Sequence, residues 1–207
     1  MQVWRDRTEA GEDLARELVR RGYGGADTIV LGVPRGGVEV ARRVADALGA
    51  PLDVVVVRKV GAPGNPEFAA GAVDPDGNVY ANPYAGVSGE WLREAAKPEH
   101  AEALRRLASY RGDRPPVQLT GRTVIVVDDG IATGLTAQAA LSWLRSRGAA
   151  KTVVAAPAMA PDAARRLESE ADEVVALDMA PGFSAVGQFY GSFPQLTDAD
   201  VTRLLAE

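Results

Sequence analysis

The chain has 207 residues, 46% of them hydrophobic and 25% charged, with a net charge of −5, no cysteine and one histidine. That length buries a sizeable core without covalent staples; the missing thiols exclude disulfides and thiolate metal centres, and the single histidine excludes a multi-histidine zinc site. The acidic balance argues against a general nucleic-acid face, no apolar run reaches the roughly 18 residues that cross a bilayer, and the first residues lack the apolar core of a secretion signal, so a cytoplasmic protein is expected.

In chain order, residues 9–21 place Leu14, Leu18 and Val19 at helical spacing and stop at Gly22. Residues 28–31 are short, β-branched and continuously apolar, as in a strand buried on both faces. The turn Gly32-Val33-Pro34-Arg35-Gly36-Gly37 follows. Val38, Ala41, Val44, Ala45 and Leu48 then predict a helix that ends at Gly49. Residues 52–57 predict a second buried strand, completing a β-α-β unit of a parallel sheet. Residues 61–67 read as a polar loop, and the runs 68–73 and 79–80 around Asp74-Pro75-Asp76-Gly77-Asn78 predict a hairpin. A helix over 91–111, broken or restarted at Pro98, places Leu104, Leu107 and Ala108 on one face and is expected to leave His100 on the surface. Strand (123–127), helix (135–147), strand (152–156), helix (162–169) and strand (173–177) continue the alternation. After an irregular, aromatic stretch, Thr197 caps a last helix through Leu205. The pattern predicts an α/β fold: an open, mainly parallel twisted sheet flanked by helices.

The chemistry concentrates in Val124-Ile125-Val126-Val127-Asp128-Asp129-Gly130-Ile131-Ala132-Thr133-Gly134-Leu135-Thr136. A strand, a sharp turn and a helix start aim N–H groups and the helix dipole at an anion beyond the carboxyl end of the sheet. Gly130 and Gly134 permit close backbone approach, and Thr133 and Thr136 add hydroxyls. Asp128 and Asp129 do not bind phosphate; they suit a pair of cis hydroxyls or Mg²⁺ held through oxygen. A ligand with a ribose and a phosphate close together would use both halves. A Walker loop is excluded for want of G-x-x-x-x-G-K-[ST]. A receiver domain is excluded because no lysine follows Lys151. The earlier turn is a second anion candidate with Arg35 as its cation, and Arg58-Lys59 lies just past a strand. Taken alone, these residues also allow a tight βα turn, a solvated strand end, or an unrelated α/β enzyme whose acids ligate a metal.

The thirteen-residue stretch resembles the phosphoribosyl-diphosphate (PRPP) motif of type I phosphoribosyltransferases, with Gly130 where an aliphatic residue is usual. The resemblance implies that Ala132, Thr133, Gly134, Leu135 and Thr136 hold the 5-phosphate. It implies that Pro34, Arg35, Gly36 and Gly37, with Arg58 and Lys59, hold pyrophosphate. Asp128 and Asp129 would fix the ribose hydroxyls and, directly or through water, Mg²⁺ as cofactor. Glu67, in a mobile loop, would exchange a proton with the incoming base, and Phe189 or Tyr190 would stack on it. One domain over 1–207 is expected, with 81–116 a helical insertion or lid and 180–207 a hood.

The implied activity is transfer of a 5-phosphoribosyl group to a purine- or pyrimidine-like nitrogen with release of pyrophosphate. The alternative is a PRPP- or nucleotide-binding regulator without turnover. The implied partners are PRPP, a small base-like acceptor and a second copy in a homodimer, with no nucleic acid and no membrane.

Overall fold

A computed structural model describes residues 2–207, except for the side chain of Glu67. The apolar runs become parallel strands: β1 (Thr28–Gly32), β2 (Leu52–Val54), β6 (Thr123–Val127), β7 (Lys151–Met159) and β8 (Glu173–Met179). They form one sheet in the order β2-β1-β6-β7-β8. From β1 the chain moves to one side, and from β6 to the other, so the boundary between them is the switch point at which open α/β sheets bind ligands. The register pairs Gly32 with Val127, which brings both strands to the same level and releases their turns side by side.

Alternation on β6 explains the uninterrupted hydrophobicity. Ile125 and Val127 face α1 (Arg7–Arg20) and α2 (Gly36–Leu48), packing with Leu14, Leu18, Val40 and Val44. Val124 and Val126 face α4 (Leu135–Ser146), packing with Ala140, Leu141 and Leu144. The short helix α5 (Pro161–Leu167) adds Ala163, Ala164 and Leu167 to that second cluster.

A separate antiparallel sheet has the order β3-β4-β5, from β3 (Arg58–Ala62), β4 (Asn65–Val73) and β5 (Val79–Ala81). Helix α3 (Gly89–Arg111) covers it through Leu92 and Ala96, against Val60, Ala70 and Val73. Further along, α3 sets Ala103 and Tyr110 against Val201, Leu204 and Leu205 of α6 (Asp198–Ala206).

Several expectations need correction. Residues 61–67 are not a loop: they finish β3, turn at Pro63-Gly64 and start β4. Residues 55–57 stay buried but leave the strand, which pairs only through Leu52–Val54. Helix α3 runs unbroken through Pro98. Pro98 lies on its exposed side, where water can take the carbonyl that the missing N–H leaves unpaired. The buried residues of α3 are Leu92, Ala96, Ala103 and Tyr110, while Leu104 is 45% exposed. His100 is half-buried, with Nε2 3.1 Å from the Pro75 carbonyl, tying α3 to the β4–β5 turn.

Candidate active site

The acid pair sits where β6 leaves the sheet. The Asp128 N–H donates to Ala155 O at 3.2 Å, and Asp128 Oδ1 accepts the Asp129 N–H at 2.9 Å. Ile131 returns to β7, donating to Ala158 O at 3.0 Å and accepting from Ala160 N at 2.9 Å. The turn is therefore stitched to β7 just before the exposed pair Ala132 and Thr133. Gly134 then adopts φ 77° as the N-cap of α4, a left-handed conformation that glycine takes without penalty. Among the described residues no side chain caps this helix, so the first-turn amides at Leu135 and Thr136 are left for a ligand or water.

The turn after β1 is shaped by the acids. Val33 N donates to Val127 O at 2.9 Å, and the Pro34–Arg35 peptide is cis. A Cβ on Gly36 would stand 1.8 Å from Asp129 Oδ2, and one on Gly37 would stand 2.8 Å from Asp128 Cα. Only glycine lets this turn lie against the carboxylates. A cavity of about 330 Å³ opens between the two turns; Pro34, Arg35, Gly36, Arg58, Lys59, Asp128, Asp129 and Thr136 all line it. Arg58 pairs with Glu99 of α3 at 2.6 Å, Arg35 lies 3.8 Å from Asp198 at the start of α6, and Lys59 is exposed.

Burial, reinforced by the Asp129 charge, holds the Asp128 carboxyl well above the usual aspartate range. Asp129 is compensated: Arg7 Nε donates to its Oδ2 at 2.8 Å, with the two side chains 5% and 13% exposed. The Tyr190 hydroxyl donates to the Asp129 carbonyl at 2.5 Å. Burial, then the Asp129 charge, pushes Tyr190 far up, so it stays a neutral donor.

The donors present suit Mg²⁺ only in part. Hard carboxylate oxygens are the right chemistry, but no group of three or more acidic or histidine ligands gathers among the described residues. Two carboxylates fit an ion that brings substrate phosphates and waters as its other ligands, the usual mode for Mg²⁺.

Sequence reasoning missed Arg7 and Glu99. Arg7 reads as one more charge on a polar helix start, yet it is 4% exposed and also donates to Pro194 O at 2.8 Å. A useful signal was Asp6, whose side chain accepts from Glu9 N and fixes Arg7 as the first residue of α1. The departure at Gly130 has a steric cause: a Cβ there would meet Val186 Cγ1 at 2.7 Å, because the tail lies directly on the turn.

The stacking role expected of Phe189 and Tyr190 does not fit their positions. They are 0% and 6% exposed, packed with Trp4, Ala10, Ala158 and Ala180. The cause is pairing between the chain's two ends: Trp4 N donates to Phe189 O and Gly191 N to Trp4 O, each at 2.8 Å. Phe193 is the more open ring, 38% exposed. Glu67 lies in β4, and its expected proton-transfer role falls on a side chain outside the described residues. The expected 81–116 insertion contains β5's last residue, one continuous helix and its flanking loops.

A parallel sheet with two glycine turns and an acid pair at its switch point defines the class of open α/β proteins that hold ligands at the carboxyl ends of their strands. Within that class the chain belongs to the phosphoribosyl transferase family, whose domain model it matches over residues 4–186. It is similar to the crystal structure of TT1426 from Thermus thermophilus, with 46% identity, a TM-score of 0.84, and 99% and 98% of the two chains covered. A Mycobacterium tuberculosis protein that carries a provisional phosphoribosyl transferase name is 44% identical over 210 residues, 99% of this chain and 47% of that protein. The chain thus spans about half the length of the curated relatives it matches first. The bifunctional protein PyrR of Streptomyces coelicolor is 29% identical over 140 residues, covering 68% of this chain and 56% of PyrR.

Proposed function

We propose that the protein transfers a 5-phosphoribosyl group from PRPP to a nitrogen of a base-like acceptor. The C1–oxygen bond to diphosphate breaks, its electron pair leaves with pyrophosphate, and the acceptor's lone pair forms the new C1–nitrogen bond. The observation that carries this reading is the shared cleft: Thr136 at the start of α4, the acid pair and Pro34, Arg35 and Gly36 of the first turn line it together.

The amides of 132–136 hold the 5-phosphate, remote from C1, so its binding energy serves orientation. Asp128 and Asp129 hold the ribose hydroxyls and favour the positive charge that grows on the ring. Arg35, Arg58 and Lys59 neutralise the departing diphosphate, and Pro34, Gly36 and Gly37 shape its seat. Asp128 and Asp129, directly or through water, would hold Mg²⁺, which would supply further neutralisation of the leaving group. Glu67 remains the candidate for proton exchange with the acceptor. The same reading carries a cytoplasmic homodimer, to be checked by light scattering. Among the described residues no helix is long and apolar enough to cross a membrane.

The test supplies PRPP, Mg²⁺ and a panel of purines and pyrimidines and reads pyrophosphate. Wild type releases it with at least one acceptor. The Asp128→Asn/Asp129→Asn double variant loses at least ~10²-fold in kcat/KM, about 3 kcal/mol. Near-normal turnover in that variant refutes the assignment. A second reading, PRPP binding without turnover, is favoured by one observation: Arg7 already occupies Asp129 Oδ2. Tight PRPP binding with no pyrophosphate under any acceptor supports it.

A further inference from the structure

Beside the diphosphate cleft lies a second cavity of about 460 Å³, and its lining is cationic. Four guanidinium groups from four different elements converge on it: Arg7 of α1, Arg35 at the start of α2, Arg58 of β3 and Arg106 of α3. Phe193 and Gln195 of the tail close one side, and among the described residues no carboxylate lines it. In a chain of net charge −5 this concentration runs against the bulk composition.

The arginines are held in place from outside the cavity. Arg7 is fixed by Asp129 and by Pro194 O, with its guanidinium carbon 3.8 Å from the centre of the Phe193 ring. Arg58 pairs with Glu99 at 2.6 Å and Arg106 with Glu102 at 2.7 Å. Arg35 lies 3.8 Å from Asp198, which also accepts the Tyr110 hydroxyl at 2.7 Å. Their side chains are 5%, 27%, 29% and 19% exposed for Arg7, Arg35, Arg58 and Arg106. Carboxylates behind and guanidinium groups in front make an oriented anion seat, the arrangement arginine's planar donors suit.

The leaving group does not account for all of this charge. Arg35 and Arg58 line both cavities and Lys59 lines the diphosphate cleft, whereas Arg7 and Arg106 line only the second one. Arg7 and Arg106 each have one carboxylate partner outside the cavity, yet a guanidinium carries five donors, and a neutral base beside them would leave the donors on the cavity side without an anionic acceptor. We infer that this cavity is the acceptor subsite and that the acceptor is a small nitrogen heterocycle carrying an oxyanion group, a carboxylate or a phosphate. The inference rests on the transferase reading above, and it names the substrate class.

The experiment compares three acceptors built on one ring: unsubstituted, carboxylated and phosphonylated. PRPP binding to the wild-type protein is first measured by calorimetry; its absence refutes the transferase reading itself. With PRPP bound, kcat/KM by pyrophosphate release is expected to be at least ~10-fold higher for one anionic ring than for the neutral ring. Which anionic ring wins separates carboxylate from phosphate. Arg106→Gln is expected to bring the anionic-to-neutral ratio to within about 2-fold of unity. A variant that merely perturbed packing would lower all three rates and keep the ratio. If no ring is turned over, calorimetric binding of the three rings to the PRPP complex replaces the rate. Equal rates, equal binding, no binding of any ring, or an unchanged ratio in Arg106→Gln overturns the inference.

Discussion

The two corners that flank the cleft start level on neighbouring strands and are built for opposite tasks. The corner after β6 is held down by β7, lifts Ala132 and Thr133 into solvent, and enters α4 through the left-handed Gly134. The corner after β1 faces inward, and its glycines make room for Asp128 and Asp129. The first is an open helix start that uses glycine for its dihedral angle. The second is a packed wall that uses glycine for its missing side chain. A glycine turn after a strand therefore has two distinct physical causes here, and substitutions separate them.

Gly36→Ala should have the larger effect. Its Cβ would displace Asp129 Oδ2 and crowd Arg7 Nε, breaking a buried ion pair. The expected loss is about 3 kcal/mol of folding stability, read by urea titration, together with PRPP binding. A stable variant with normal affinity would show that the wall is not packed as described. Gly134→Ala should cost less, about 1–2 kcal/mol, because an alanine at φ 77° is strained while its Cβ meets Ala163 only at an ordinary 3.4 Å. Its affinity for ribose 5-phosphate should fall further than its stability alone suggests.

Asp128→Asn sharpens the contrast in the other direction. Burial and the neighbouring charge raise the folded-state value of Asp128 above the ordinary 3.8. The folded protein therefore takes up this proton more readily than the unfolded chain does. The stabilisation is complete below the ordinary value and is lost as pH rises through the raised one. At neutral pH the ligand-free Asn variant should melt higher than wild type, with a flatter stability profile across the weakly acid range, while its transfer activity falls. A lower Tm for the variant at pH 7 would contradict the buried-charge account.

The difference between the corners also explains what the sequence made legible. The sheet and its helices follow from local pattern: β-branched runs such as Val124-Ile125-Val126-Val127, helical spacing such as Val38, Ala41, Val44 and Ala45, and glycine stops. The acid-and-threonine turn is equally local, and its resemblance to a PRPP motif points to the family from thirteen consecutive residues. Features set by distant chain were not legible. Nothing near Arg7 states that it will meet Asp129, 122 residues away. Phe189 and Tyr190 look available in an irregular tail, but pairing with Trp4 turns them into core. Pro66 and the glycines around Pro63 disguise a hairpin as a loop, since both residue types weaken a strand signal. The burial of Leu92, Ala96, Ala103 and Tyr110 depends on two partners, the small sheet and α6, that local periodicity does not reveal.

The most direct test is a crystal structure with ribose 5-phosphate. The account predicts a phosphate within hydrogen-bond distance of the Thr133 to Thr136 amides, with the ribose hydroxyls on Asp128 and Asp129. A sugar phosphate seated elsewhere, with that corner bare or filled by a side chain, would contradict it.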